Sequence, residues 1–269
     1  LSGSADTGDG APGSRSAAPG RHPAGGDPAA TPVAVVTGAG RRLGAAVAIA
    51  LGGAGFDVAV HHGRSAAGGR RTAERIRALG RTAETFGADL RDRLAIERLF
   101  AEVDARFGRL DCLVNSAAVF PLAPWEDLTP GVWDEVLAVN LTAPFLCARA
   151  AAPRLRESGS GRIVNVLDLG AFEAWIDRPA NGVAKAGLLK LTESLARALA
   201  PEVLVNAVAP GTIHFPDEPA DYPLPSPKRL PLKRWGTPED VAESVLFLVR
   251  TRYVTGHCIV VDGGKLLLP

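Results

Sequence analysis

No two cysteines of this chain stand close enough to clamp a metal or staple a small loop. Cys112, Cys147 and Cys258 are far apart, without a C-x-x-C, each inside an otherwise apolar segment. That suits small buried hydrophobes in a reducing compartment and excludes a disulfide framework. Histidine is equally sparse: His61 and His62 are adjacent, while His22, His214 and His257 are isolated. No metal-ligand spacing results, so they read as loop or strand-end histidines and no structural metal is expected. Neither sign of charge prevails. With 30 Lys and Arg against 29 Asp and Glu, no global field recruits nucleic acid or an anionic membrane surface. Long hydrophobic runs are missing too, none approaching the ~18 uninterrupted apolar residues of a membrane span. The N-terminal stretch lacks the apolar core of a secretory signal, and the expected setting is cytoplasmic.

Residues 1–30 also lack large apolar side chains. They are Ala, Gly, Ser, Pro and Asp almost throughout, cannot bury enough surface to offset the entropy of ordering, and are expected to be disordered. The remainder, 31–269, is long enough for one α/β domain with a sizeable core.

That domain is organised around Thr37-Gly38-Ala39-Gly40-Arg41-Arg42-Leu43-Gly44. The apolar run 33–36 feeds into it and an alanine-rich helical pattern, 45–51, leaves it. In a strand–glycine turn–helix of this kind the absent Cβ atoms let backbone approach a pyrophosphate, whose charge meets the N–H groups and positive dipole end of the helix. A tight βα connection in any α/β protein is the plainer alternative. Glycines at i, i+2 and i+6 depart from G-x-G-x-x-G. They follow T-G-x-x-x-G-x-G instead, with Arg42 at its middle glycine.

The alternation continues to the end of the chain. A second strand reaches His61-His62 and the polar Gly63-Arg64-Ser65. No acidic residue closes this strand, so a ribose 2′-phosphate would meet Arg64 and Ser65, with His62 beside them, which favours NADPH over NADH. A solvated basic loop is the alternative. A helix over 66–79 has Ile76 and Leu79 as its apolar positions. Strand three, 82–86, ends before Asp89-Leu90. Asp89 or Asp92 could equally cap the next helix, 94–107, whose apolar positions include Leu94, Ile96, Leu99, Phe100 and Val103. Strand four, 110–114, runs into the small residues Asn115-Ser116-Ala117, short enough for a flat ring to lie across, and then Phe120. One long helix, 131–152, follows, with Trp133, Leu141, Phe145 and Leu146 in its apolar stripe and Asn140 as the polar outlier. Strand five, 162–167, ends at Asp168, a helix covers 184–200, and strand six, 203–208, closes at Pro210-Gly211. Residues 212–236 are proline-rich without period and read as a substrate lid. A last helix from Pro238 and a strand over 257–261 complete seven strands.

This order, with motifs at strands one, four, five, six and seven, resembles the short-chain dehydrogenases/reductases over 31–269. Arg42, the His-Arg-Ser region and Phe120 resemble their pteridine reductase branch. The resemblance implies a single doubly wound Rossmann-type α/β domain, with a seven-stranded parallel sheet and helices on both faces. It implies a nicotinamide cofactor held by Gly38, Gly40, Arg41, Arg42, Leu43, Gly44, His62, Arg64, Ser65, Asp89, Leu90, Asn115, Ser116, Ala117, Lys185, Pro210 and Gly211. It also implies catalysis by Asn140, Asp168, Asn181 and Lys185, substrate contacts from Phe120, Asp168 and Asn181, and a homotetramer.

One departure stands out. Family enzymes carry Ser, then Tyr thirteen residues on, then Lys four beyond; counting back from Lys185 gives Asn181 and Asp168. Asp in place of Ser is shared with pteridine reductases. Asn in place of Tyr is different, because a carboxamide has no titratable proton and cannot be the general acid. The two tyrosines, Tyr222 and Tyr253, lie elsewhere. Two functions therefore stand beside each other. One is an NADPH-dependent reductase of a pterin-like or other conjugated imine or carbonyl, with Asp168 or a lysine-linked water as acid. The other is a catalytically silent NADP(H)-binding scaffold or sensor.

Overall fold

The computed structural model describes residues 30–215, 224 and 226–268. The expected disordered tail therefore lies almost wholly outside the described residues, as do Pro216, Pro219, Tyr222, Pro223 and Pro225 of the expected lid.

Seven short runs form the strands β1 (Val33–Val36), β2 (Asp57–His62), β3 (Ala83–Gly87), β4 (Cys112–Asn115), β5 (Gly161–Val166), β6 (Val203–Pro210) and β7 (Cys258–Val261). They pair in parallel in the order β3-β2-β1-β4-β5-β6-β7. Strands of a parallel sheet are covered on both faces, and their sequences run apolar without alternating with polar residues. Successive side chains do alternate between two cores. Ala34, Val36, Cys112, Val114 and Val164 join one, whereas Val35, Leu113 and Ile163 join the other. Helices α1 (Arg42–Gly53), α2 (Ala66–Ala78) and α7 (Pro238–Arg250) cover the first face; α3 (Arg93–Phe107), α5 (Ala143–Glu157) and α6 (Pro179–Leu199) cover the second. Strand order reverses between β1 and β4, and in doubly wound sheets a ligand binds in the crevice outside the strand ends at that switch point.

The expected helix over 131–152 is instead three pieces: α4 (Pro130–Leu137), a π-helical turn (Ala138–Thr142) and α5. Pro144 supplies the physical reason. Its nitrogen cannot donate to the carbonyl of Asn140 four residues back, and its ring crowds that carbonyl, so the turn before it widens. The stretch Pro130–Glu157 is long and apolar enough to cross a membrane by length and composition, yet half of its most apolar window is buried in this domain.

Other boundaries move for local reasons. Helix α6 starts at Pro179 rather than near 184, because a proline suits the first helical position. It therefore carries Asn181 as well as Lys185. Asp92 caps α3, its carboxylate accepting from the Leu94 N–H at 2.9 Å. Thr237 and Asp240 form a reciprocal capping box on α7. Three side chains expected in the apolar stripes lie outside: Leu79 at the end of α2, Leu94 in the first turn of α3 and Phe145 in α5 are exposed. Leu79 is the C-cap of α2 and Leu94 stands in the first turn of α3, so both lie at helix ends. Cys112 and Cys147 are buried as expected, whereas Cys258 on the edge strand is only partly so.

Two leucines test the assignment of the core. Leu113 is 0% exposed and Leu94 is 59% exposed. Leu113→Ala should cost about 2–5 kcal/mol in urea denaturation, and Leu94→Ala less than about 0.5 kcal/mol. Similar losses at both positions would contradict the placement of α3.

Candidate functional site

The glycine turn between β1 and α1 is held from two sides. On the β4 side, the Thr37 hydroxyl accepts from the N–H groups of Ser116 at 2.9 Å and Ala117 at 3.1 Å. On the β2 side, the Gly38 N–H donates to His61 Nδ1 at 3.1 Å and the Ala39 N–H to the His61 carbonyl at 2.8 Å. Side chains would not fit here. A Cβ on Gly38, whose φ is +68°, would stand 2.7 Å from the Ala117 Cα, and one on Gly44 would stand 2.4 Å from the Gly38 carbonyl oxygen. Gly40 is likewise pressed against Ser65, its Cβ position 2.9 Å from the Ser65 carbonyl oxygen. Arg42 takes the middle glycine's place and keeps a glycine-like φ of +48°, a left-handed conformation that costs an L-residue roughly 1–2 kcal/mol. Its guanidinium lies over the Phe215 ring, 5.0 Å from the centroid, joining the turn to the segment after β6.

No side chain caps the N-terminus of α1, where Arg41 is the N-cap, and its first turn holds no acidic residue. The turn therefore fits a diphosphate, offering close backbone and the positive end of a twelve-residue helix. Arg64 is exposed and Ser65 is the N-cap of α2, whose first turn is also free of acidic residues. Gly68 and Gly69 let that helix close on the site. A Cβ on Gly68 would lie 1.9 Å from the Gly40 carbonyl oxygen, and one on Gly69 would meet the His62 ring. Asp89 is bound by Arg91, which holds its carboxyl down at about 2, while Leu90 is buried. Pro210 ends β6, and the Gly211 N–H donates to the Val261 carbonyl at 2.9 Å.

A second cluster lies beyond β4 and β5. Asn140, in the π turn, is 1% exposed. Its Oδ1 accepts from the Val119 N–H at 2.9 Å and its Nδ2 donates to the Val119 carbonyl at 2.8 Å. Because the peptide fixes which end accepts and which donates, the remaining Nδ2 hydrogen goes to Asn181 Oδ1, at 3.0 Å. Asn181 Nδ2 must then donate onward, to Asp168 Oδ2 at 3.0 Å. Asp168 Oδ1 accepts from the Gly170 N–H at 2.9 Å. Lys185, one turn along α6, is buried and donates to the Val166 carbonyl at 2.7 Å. Burial pushes its pKa down, opposed by the charge of Asp168.

The four expected catalytic residues are thus together. Asn115 is placed differently from Ser116 and Ala117: its side chain is buried and donates to Asn165 Oδ1 at 2.9 Å, whose Nδ2 donates to Thr192 Oγ1 at 2.9 Å. Phe120 is 50% exposed, edge-on to Trp175 with centroids 5.8 Å apart, and the Arg178 guanidinium covers its ring at 4.4 Å. Thr37, Trp175 and Arg178 were not expected here. Thr37 was legible, standing first in the glycine pattern, whereas the other two lie in an unpatterned loop.

A family model described as enoyl-(acyl carrier protein) reductase matches residues 38–265. The chain belongs to the short-chain dehydrogenase/reductase family. A putative ketoacyl reductase 2 of the granaticin polyketide synthase from Streptomyces violaceoruber is 38% identical, covering 88% of this chain and 97% of its own length. The 3-oxoacyl-(acyl-carrier-protein) reductase FabG of Staphylococcus aureus is 35% identical over 87% of this chain and 98% of its own. Among solved structures, acetoin dehydrogenase from Enterobacter cloacae superposes with a TM-score of 0.83 at 35% identity, covering 90% of this chain and 98% of that one. A blue fluorescent protein from a metagenomic library, in complex with NADPH, gives 0.81 at 31% identity, covering 87% and 97%.

His61 stands at the end of β2, as expected, and its side chain is buried, 1% exposed. Burial lowers its pKa from 6.5 to about 4, countered by the bond to Ala88 and reinforced by His62. A pKa lowered by folding means that the unfolded chain takes up the proton first. The stabilisation is complete above about pH 6.5 and is lost as pH falls toward 4. Between pH 7 and 4.5 the native protein should therefore lose about 2–3 kcal/mol relative to His61→Asn. Parallel stability–pH curves for the two proteins would refute a buried neutral imidazole.

Proposed function

We propose that this family member is an NADPH-dependent reductase of a conjugated imine or carbonyl, pterin-like substrates included, with Lys185 as the source of the proton. The observation that carries it is the buried Lys185 ammonium, which gives one hydrogen to the Val166 carbonyl and, among the described residues, keeps two. A nicotinamide cofactor, when bound, would supply the hydride that reduces the electrophilic carbon. The substrate heteroatom must then receive a proton, and the residues differ in what they can give. Asn181 has both ends of its carboxamide committed, to Asn140 and to Asp168. Asp168 is engaged on both oxygens, accepting from the Gly170 N–H on Oδ1 and from Asn181 Nδ2 on Oδ2. Lys185, its pKa lowered by burial, is the stronger candidate, acting directly or through one water. Asp168 then orients Asn181 and balances the lysine charge.

Relatives named as ketoacyl reductases and an acetoin dehydrogenase support carbonyl chemistry, and the half-exposed Phe120 ring offers an aromatic surface to a planar substrate. Arg42, Arg64-Ser65 and Phe120 support the pteridine reductase likeness. Arg64 beside the α2 N-cap supports selection of a 2′-phosphate. A cytoplasmic homotetramer fits the same reading, supported by exposed Phe145 on α5, Val183 on α6 and Leu267-Leu268 at the chain end.

Charge-assisted contacts of ~1.5–3 kcal/mol predict NADPH binding at least ~10-fold tighter than NADH. Arg64→Ala should narrow that gap without weakening NADH, and equal affinities in a fluorescence titration would refute the selection. With pterins, quinones and ketones as substrates, Lys185→Met should lower turnover by roughly 10²–10⁴-fold, Asp168→Asn should leave measurable activity, and Asn181→Tyr should raise activity on simple ketones. An Asp168→Asn variant as inactive as Lys185→Met would transfer the acid to Asp168. No turnover except in Asn181→Tyr would mean a silent cofactor-binding protein. Light scattering at micromolar concentration should give a tetramer mass, and a monomer would contradict the assembly.

A further inference from the structure

His61 is a buried titratable side chain with no part in the proton route above. It sits at the fifth position of β2, and both ring nitrogens are engaged. Nδ1 accepts from the Gly38 N–H at 3.1 Å, which obliges Nε2 to carry the hydrogen and donate to the Ala88 carbonyl, also at 3.1 Å. The backbone repeats the arrangement: the His61 carbonyl accepts from the Ala39 N–H at 2.8 Å, and the His62 carbonyl from the Ala88 N–H at 3.2 Å. One imidazole therefore ties together two loops that no strand pairing connects. The first is the glycine turn at its left-handed residue, Gly38; the second is the segment leaving β3, ahead of Asp89-Leu90.

These loops flank the crevice on the β2–β3 side of the switch point. The Gly38 and Ala39 N–H groups are both turned onto His61, so the turn is fixed from behind, and the N-terminus of α1 just beyond it carries no side-chain cap. The Ala88 carbonyl, turned toward the same ring, sets how far the second loop stands from the first. We infer that His61 is a positioning residue for the adenosine diphosphate half of the cofactor, fixing both the diphosphate turn and the width of the slot beside it. This rests on the cofactor reading above. An uncharged ring in one tautomer is what the geometry demands, since a hydrogen on Nδ1 would oppose the Gly38 N–H.

The test is a binding titration of the full chain. His61→Ala, folded by circular dichroism, should bind NADPH and NADH about tenfold more weakly, by the same factor for both. His61→Asn keeps one acceptor and one donor and should stay within about threefold of the native affinity. Reduced nicotinamide mononucleotide, which lacks the adenosine half, should bind all three proteins alike. A folded Ala variant with native affinities, or an equal loss for the mononucleotide, would overturn the assignment. Native protein that bound neither dinucleotide would refute the cofactor reading and this assignment with it. Should the Ala variant fail to fold, the native imidazole decides. Its ¹⁵N spectrum must show a single Nε2–H tautomer, and both ring nitrogens must shift on saturation with adenosine 2′,5′-bisphosphate; a ring unmoved by saturation would overturn the proposal.

Discussion

Asn140 meets both the N–H and the carbonyl of Val119, and the direction of the hydrogen bonds that run from it through Asn181 to Asp168 follows from that grip. A carboxamide alone can turn its two ends around at little cost. One clamped to a peptide N–H and C=O cannot, so Asn181 must present oxygen to it and nitrogen to Asp168. The clamp depends in turn on the π turn, and that turn on a proline four residues later. A backbone irregularity thus sets the polarity of a reaction site, with no charged residue in the clamp itself.

The glycine turn shows the same economy. Its conformation is held by a threonine hydroxyl on one side and an imidazole on the other, so the loop that faces the crevice is shaped from behind. Arg42 then occupies a glycine's backbone conformation while reaching Phe215 with its side chain. The strain of a positive φ is set against a cation–π contact of comparable size.

The fold was legible because parallel strands bury both faces, so their apolar runs stand out, and because each is followed by a helix. Expectation and structure part at helix ends, where Leu79 and Leu94 continue the apolar period but are exposed, and at Pro144 inside a good helical pattern. In the site, Asp168, Asn181 and Lys185 were named by the spacing that a family resemblance supplies and Asn140 as a polar residue in an apolar stripe, and the structure places the four side by side. The commitment of both ends of Asn181 was not legible, because it depends on a peptide at Val119 remote in sequence. The strand-end place of His61 was legible, but its ring contacts were not, because they join Gly38 and Ala88, both remote from it in sequence.

The buried chain Asn115–Asn165–Thr192 has a consequence for how the chain assembles. Asn115 and Asn165 are direct neighbours across β4 and β5, and Thr192 reaches them from α6, passing its own hydrogen to the Leu188 carbonyl at 2.8 Å. Slipping β5 by one residue would send Asn165 to the opposite core and strand amide groups among aliphatic side chains, at about 1–3 kcal/mol for each one left unpaired. Valine-rich neighbours would tolerate such a slip, since one apolar residue replaces another. The three polar groups therefore act as a registration mark at the centre of the sheet, admitting one alignment of β4, β5 and α6 and rejecting near misses during folding.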